Sequence, residues 1–198
     1  MPWESLSRRR VSLVAVALGA VLLGASATAS QLRLADLNGQ SIDPFAVGSS
    51  TKATVFLFLS TECPISSRYA PELQRLHDRF ASRGVTFWMI YPNPAESVAA
   101  IRDHMNAFAY PGRALRDPQH LAVKLTKARV TPEAAVFDSG GKMVYRGRID
   151  DRFVDFGLDR PAATKRDLEN AVDAVLSGRS VAEPTTRAVG CFLVDFQS

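Results

Sequence analysis

Cysteine is scarce in this chain. Only Cys63 and Cys191 occur among 198 residues, and no Cys-x-x-Cys pair places two sulfurs one helical turn apart. Histidine is nearly as rare, and His77, His104 and His120 stand at no ligand spacing to one another, so no histidine-built metal centre is indicated. Each reads as a solvated or packed side chain. Internal repeats and low-complexity tracts are absent, which sets aside solenoids and compositionally disordered arms. No stretch interleaves Lys or Arg with aromatics, so nucleic acid is not an expected partner.

Long apolar runs are confined to the beginning. Arg8, Arg9 and Arg10 precede an apolar stretch from Val11 to Leu23, and Ala25-Ser26-Ala27 and Ala27-Thr28-Ala29 follow as small-x-small sites. That order describes a secretory signal over residues 1–29 and an exported chain, periplasmic or extracellular. An uncleaved segment of this length is the alternative, and the membrane enters only through it. Removal of residues 1–29 leaves 169 of 198 residues, enough for one domain with a real core. It takes away three arginines and Glu4, so 21 basic residues face 19 acidic ones and the net charge falls to +2. With two thiols in an oxidising compartment, pairing of Cys63 with Cys191 is the default expectation.

The pattern of the remainder alternates strands and helices. Gln31 to Leu37 with the Asn38-Gly39 turn reads as a hairpin, and Thr54 to Leu59 and Val85 to Tyr91 are apolar throughout, as in strands covered on both faces. Between them Ile65, Tyr69, Leu73, Leu76 and Phe80 mark one helix face, with Pro64 at the start and Gly84 past the end. Asn93-Pro94-Ala95-Glu96 predicts a capped second helix with Val98, Ile101, Met105 and Phe108 inward. His120 to Leu125 offers a short helix, "AAVFD" and "MVYRGRI" a hairpin about Ser139-Gly140-Gly141, and 150–163 an irregular insertion. In that insertion Asp150, Asp151 and Asp155 alternate with basic residues, as in surface ion pairs. Thr164 is placed to cap a last helix ending at Gly178. The tail, 179–198, contains Pro184 and ends in a short strand, "VGCFLV", carrying Cys191. The expectation is one α/β domain over 30–178, a central mixed sheet flanked by helices, with a C-terminal tail strand.

The motifs "TECPISSRYAPEL", "VTPEAAVFD" and "YRGRIDDR", in this order, resemble the thioredoxin-like superfamily, in its redoxin branch of alkyl hydroperoxide reductases and thiol-specific antioxidants. The resemblance covers about residues 31–178. It implies that Cys63 is a nucleophile at a helix N-terminus, where unpaired N–H groups favour thiolate. It also implies that Thr131–Pro132 is a cis bond beside it; an ordinary turn proline is the bland alternative. Glu62 opposes ionisation of Cys63, and Arg68 stands where it could offset that charge.

Departures from the family leave several reactions open. Ser66 replaces the second cysteine of the dithiol motif, and Ser67 replaces the second ligand of Sco-type copper chaperones. Ser60 fills the hydroxyl position three residues before a peroxidatic cysteine, but Phe56 stands where such a site has proline. Arg129 and Arg148 are the candidates for an arginine that polarises peroxide. In this frame Cys191 becomes a resolving cysteine for Cys63, acting on a thiol or disulfide protein or on a small oxidant, with an external thiol as reductant. No cofactor is called for. The rivals are a thiol peroxidase, a buried inert Cys63, and a non-catalytic module whose Cys63–Cys191 bond is a static staple. A metal held by Cys63 with His120, whose loop nears the active face in this fold, is the weakest of them.

Overall fold

The computed structural model describes residues 32–46, 48 and 50–193. The segment read as an export signal lies outside them, and no described helix is long and apolar enough to cross a membrane.

The chain runs β1 (Leu34–Asp36), β2 (Ser41–Ile42), β3 (Ala53–Phe58), α1 (Pro64–Phe80), β4 (Val85–Tyr91), α2 (Val98–Ala107), β5 (Arg113–Arg116), α3 (Leu121–Thr126), β6 (Val130–Thr131), β7 (Glu133–Asp138), β8 (Met143–Gly147), β9 (Phe153–Asp155), β10 (Leu158–Asp159), α4 (Asp167–Leu176) and β11 (Cys191–Phe192). Seven strands form a mixed sheet in the order β2-β1-β5-β4-β3-β7-β8. β3, β4 and β5 are parallel, whereas β7 runs antiparallel to both β3 and β8.

The all-apolar strands are explained by two cores. Side chains alternate across a strand, so Val55, Leu57, Phe87 and Met89 meet α1, α2 and α4, through Leu73, Leu76, Ile101 and Leu168. Phe56, Phe58, Trp88 and Ile90 face the other way, against Ala122 and Val123 of α3 and against Leu34. A sheet covered on both faces has no side that tolerates polar residues. The cysteine-bearing loop therefore rises from the middle of the most buried part of the molecule.

Several expectations are corrected. β5 had no signal, because "RALR" offers only Ala114 and Leu115 to the interior; pairing with β4 and β1 makes it a sheet strand, and the Arg113 guanidinium lies 5.2 Å from the Trp88 ring centre. The cap of α2 is Ser97, whose Oγ accepts the Ala100 N–H at 3.1 Å, and not Asn93. Ile101 and Met105 face inward as expected, but the helix ends at Ala107, so Phe108 is its exposed C-cap, and His104 faces inward as well. Thr164 does not cap α4, which begins after Arg166; its N–H and hydroxyl bond Asp151 instead. Within 150–163, β9 and β10 form a hairpin, and Asp150 and Asp151 are buried rather than at the surface. Asp150 accepts the Tyr69 hydroxyl at 2.6 Å.

The tail is strapped along the β8 edge of the sheet. The Arg146 N–H donates to Pro184 O at 2.9 Å, and the Thr186 N–H to Arg146 O at 3.1 Å. Beyond Thr186 the chain reaches β11, which pairs antiparallel with β6. Replacement of Leu73, fully buried under the sheet, by alanine is expected to cost about 3 kcal/mol of stability. Urea denaturation would show this as a lower midpoint with unchanged slope.

Candidate active site

The loop Leu59–Glu62 leaves β3 and delivers Cys63 as the N-cap of α1, with extended φ and ψ of −89° and 110°, and with Pro64 at the first helical position. Proline lacks an N–H where the helix needs none, and the helix dipole places partial positive charge at this end. Cys63 is 1% exposed, at the edge of the core that α1 covers, and Cys191 lies against its sulfur. β11 lays Cys191 beside Thr131, and the two Sγ atoms stand 2.8 Å apart as free thiols. The Thr131 carbonyl, next to the cis Thr131–Pro132 bond, lies 2.9 Å from Cys63 Sγ and accepts its proton in the neutral form.

The electrostatics separate the two sulfurs. Burial pushes the Cys63 thiol up, but hydrogen bonds from the Cys191 thiol, from the Ser66 N–H and hydroxyl and from the Cys191 N–H outweigh it, and the thiol sits below its ordinary value. Cys191 moves the other way, raised by burial and by the neighbouring Cys63 sulfur, to which it donates. The arrangement favours a Cys63 thiolate and a Cys191 thiol. Ser66 is fully buried in the position a second cysteine would take, where its hydroxyl solvates the sulfur of Cys63.

Glu96 holds the loop. Its Oε1 accepts the Ser60 hydroxyl at 2.8 Å, the Thr61 N–H at 2.7 Å and the Thr61 hydroxyl at 3.1 Å. The sequence pattern assigned this glutamate to a helix cap. Ser97 takes the cap, which frees the carboxylate to cross to the cysteine loop. Tyr110 and His104 were likewise missed. The Tyr110 hydroxyl donates to Ser66 O at 2.6 Å, and His104 bridges Tyr91 Oη at 2.9 Å and Ser67 Oγ at 3.2 Å. Burial holds the His104 ring below its ordinary pKa. Nothing in the sequence separations of 44, 13 and 37 residues announces these contacts.

The remaining candidates fall into place differently. The Ser60 hydroxyl is turned to Glu96. His120 lines the cavity around Cys63, but its Nε2 lies 3.1 Å from Pro92 O, and no cluster of three metal-ligating side chains occurs among the described residues. Arg68 does not offset Glu62 at the sulfur, since it pairs with Asp159 and lies over Phe153. Arg148 is held by Asp167, and Arg129 lines a different cavity. Phe56 is sealed in the core. A cavity of about 230 Å³ remains beside the sulfurs, lined by Cys63, Cys191, His120, Thr131, Phe192 and Leu193.

The protein-family model described as the AhpC/TSA family matches residues 24–146. An uncharacterized conserved protein from Geobacillus kaustophilus has a similar structure, with TM-score 0.71 and 30% identity, covering 84% of this chain and 89% of that one. A hypothetical protein from Sinorhizobium meliloti 1021 follows at TM-score 0.69 and 27% identity, covering 81% and 88%. A secreted Mycobacterium tuberculosis disulfide oxidoreductase homologous to Escherichia coli DsbE shares the fold at TM-score 0.53 and 20% identity, covering 73% and 96%. The search of curated proteins found no match.

Two outcomes test the site. Ser66→Ala removes one donor to Cys63 Sγ and is expected to raise the midpoint of thiolate formation, followed by ultraviolet absorbance against pH. Glu96→Ala leaves the Thr61 N–H and the Ser60 hydroxyl without their acceptor and is expected to lose about 2 kcal/mol in urea unfolding, with Glu96→Gln retaining most of it.

Proposed function

The chain belongs to the AhpC/TSA family, and from that premise we propose that it is an exported thiol-disulfide oxidoreductase with Cys63 as nucleophile and Cys191 as resolving cysteine. The observation that carries this reading is the pair of free sulfurs 2.8 Å apart at the N-terminus of α1, with the lowered thiol on the helix and the raised one on the tail.

The chemistry follows from that asymmetry. Cys63 thiolate attacks one sulfur of a substrate disulfide; a Cys63–substrate disulfide forms, the substrate S–S bond breaks, and the departing thiolate keeps the electron pair and takes a proton from water. Cys191 loses its proton and attacks Cys63 Sγ, which releases the second substrate thiolate and leaves a Cys63–Cys191 disulfide. The substrate has been reduced by two electrons and the protein oxidised by two. An external dithiol then restores both thiols. The same steps in reverse oxidise a substrate dithiol.

Disulfide exchange is favoured over peroxide reduction by what surrounds the sulfur. The hydroxyl of Ser60 is committed to Glu96, and both candidate arginines lie away from the cavity around Cys63. Export rests on the sequence of residues 1–29.

The Cys191→Ser variant is expected to accumulate mixed disulfides with partner proteins, visible by non-reducing electrophoresis and lost on dithiothreitol treatment, whereas Cys63→Ser accumulates none. In a graded glutathione series the wild-type pair is expected to open at potentials above about −300 mV. A bond that survives well below that value would make it a static staple.

A further inference from the structure

A second cavity, of about 410 Å³, opens beside the β6–β11 ladder, and its wall is rich in arginine. Arg129 reaches it from the residue before β6, Arg146 from β8 and Arg187 from the tail. Glu133 is the other ionisable group of the wall, so three guanidiniums face one carboxylate and the formal charge is +2. Glu133 is buried and already engaged. Its Oε2 accepts the Arg129 N–H at 2.7 Å and the Val130 N–H at 3.3 Å, and its Oε1 lies 3.8 Å from Arg146 Nε. Arg146 also donates to Lys127 O. The side chains of Arg129 and Arg187 are exposed and have no ionic partner among the described residues.

The backbone that carries these side chains is fixed at each of them. The Arg146 N–H donates to Pro184 O at 2.9 Å, and its carbonyl accepts the Thr186 N–H at 3.1 Å. Thr186, next to Arg187, bonds Tyr145 Oη at 2.7 Å and the Arg148 N–H at 3.1 Å through its hydroxyl. Arg129 O accepts the Leu193 N–H at 2.9 Å. Like charges held together repel, and an anion between them relieves the repulsion. A planar guanidinium matches the paired oxygens of a carboxylate or a phosphate. The volume lies in the range of small-molecule sites, and Phe192, 79% exposed, supplies an apolar wall.

We propose that this cavity binds a small organic dianion, a dicarboxylate or a phosphate monoester, between Arg129, Arg146 and Arg187, and that its occupant fastens the segment carrying Cys191 to the sheet. Arg187 stands four residues before Cys191, and Arg129 holds Leu193, two residues after it. An anion that bridges these arginines and Arg146 therefore ties both ends of residues 187–193 to β8. Phe192 lines this cavity and also the one beside the sulfurs, so β11 is the partition between them. The binding is non-covalent and stands apart from the role of Cys63 as nucleophile.

The test titrates the full-length chain with succinate and with glycerol 2-phosphate by calorimetry, at ionic strength held constant with sodium chloride, and with acetate as the monoanion control. Saturable binding is expected, at least about tenfold tighter than that of acetate, and the tighter probe identifies the group the cavity takes. Arg129→Gln combined with Arg187→Gln is expected to weaken it by at least about tenfold, the value of one charge-assisted hydrogen bond. Arg179→Gln, which removes an exposed tail arginine outside the cavity, leaves the affinity unchanged. Circular dichroism checks that each variant is folded. A second readout uses Cys63→Ser, in which Cys191 is the one thiol left. Its alkylation by iodoacetamide is expected to slow about tenfold when the dianion stands at ten times its dissociation constant, as linkage requires if the unfastened tail does not bind it. The double arginine variant loses that protection. Equal affinity in wild type and double variant, or binding no tighter than that of acetate, overturns the site. Binding that leaves the alkylation rate unchanged overturns the fastening of the tail.

Discussion

Two sulfur atoms 2.8 Å apart organise this molecule. One is fixed by the fold's centre, at the end of β3 where the most buried strand turns into α1. The other arrives from the far end of the chain on a two-residue ladder. A thiol buried next to another thiol gains little from water, so the polarity of the site is set by what the protein supplies: the start of a helix, the Ser66 N–H and hydroxyl, and the proton of Cys191. All of these act on Cys63. The imbalance sets the two sulfurs apart, with the Cys63 thiol lowered and the Cys191 thiol raised.

Keeping that geometry requires a rigid loop, and the loop is short of apolar anchors. Glu96 supplies the rigidity by gathering the Ser60 hydroxyl, the Thr61 N–H and the Thr61 hydroxyl onto one oxygen. Tyr110 and His104 brace the first turn of α1 from behind, through the Ser66 carbonyl and the Ser67 hydroxyl. They fix where the sulfur sits, and they come from the strand–helix unit that follows β4, so the packing of α2 on the sheet and the placement of Cys63 are one problem.

The tail brings the second sulfur to the first. β11, which carries Cys191, pairs with the backbone of β6 and so sets the sulfur of Cys191 against that of Cys63. The Thr186 hydroxyl holds the tail at Tyr145 and at the Arg148 N–H, and the β6–β11 ladder holds residues 191 and 192. The glycines at 147 and 190 mark the two places where the tail backbone comes too close for any side chain.

Much of this was legible before any coordinates. The apolar runs at 54–59 and 85–91 announced a sheet covered on both faces, the period of Ile65, Tyr69, Leu73, Leu76 and Phe80 gave α1 its buried side, and "TECPISSRYAPEL" with "VTPEAAVFD" placed a cysteine at a helix start near a cis proline. Local patterns report on local structure, because burial periodicity and capping chemistry act within a few residues. β5 stayed hidden because its arginines are accommodated by neighbours 25 residues away in sequence, as Arg113 is by Trp88. Glu96 was assigned to a cap because two capping residues stood four positions apart and only packing chose Ser97. The pairing of Cys63 with Cys191 was expected because they are the two cysteines of the chain, but the burial of Cys63 and the edge on which the tail rests are long-range facts. They depend on how far the chain folds back on itself, and no spacing in the sequence encodes that distance.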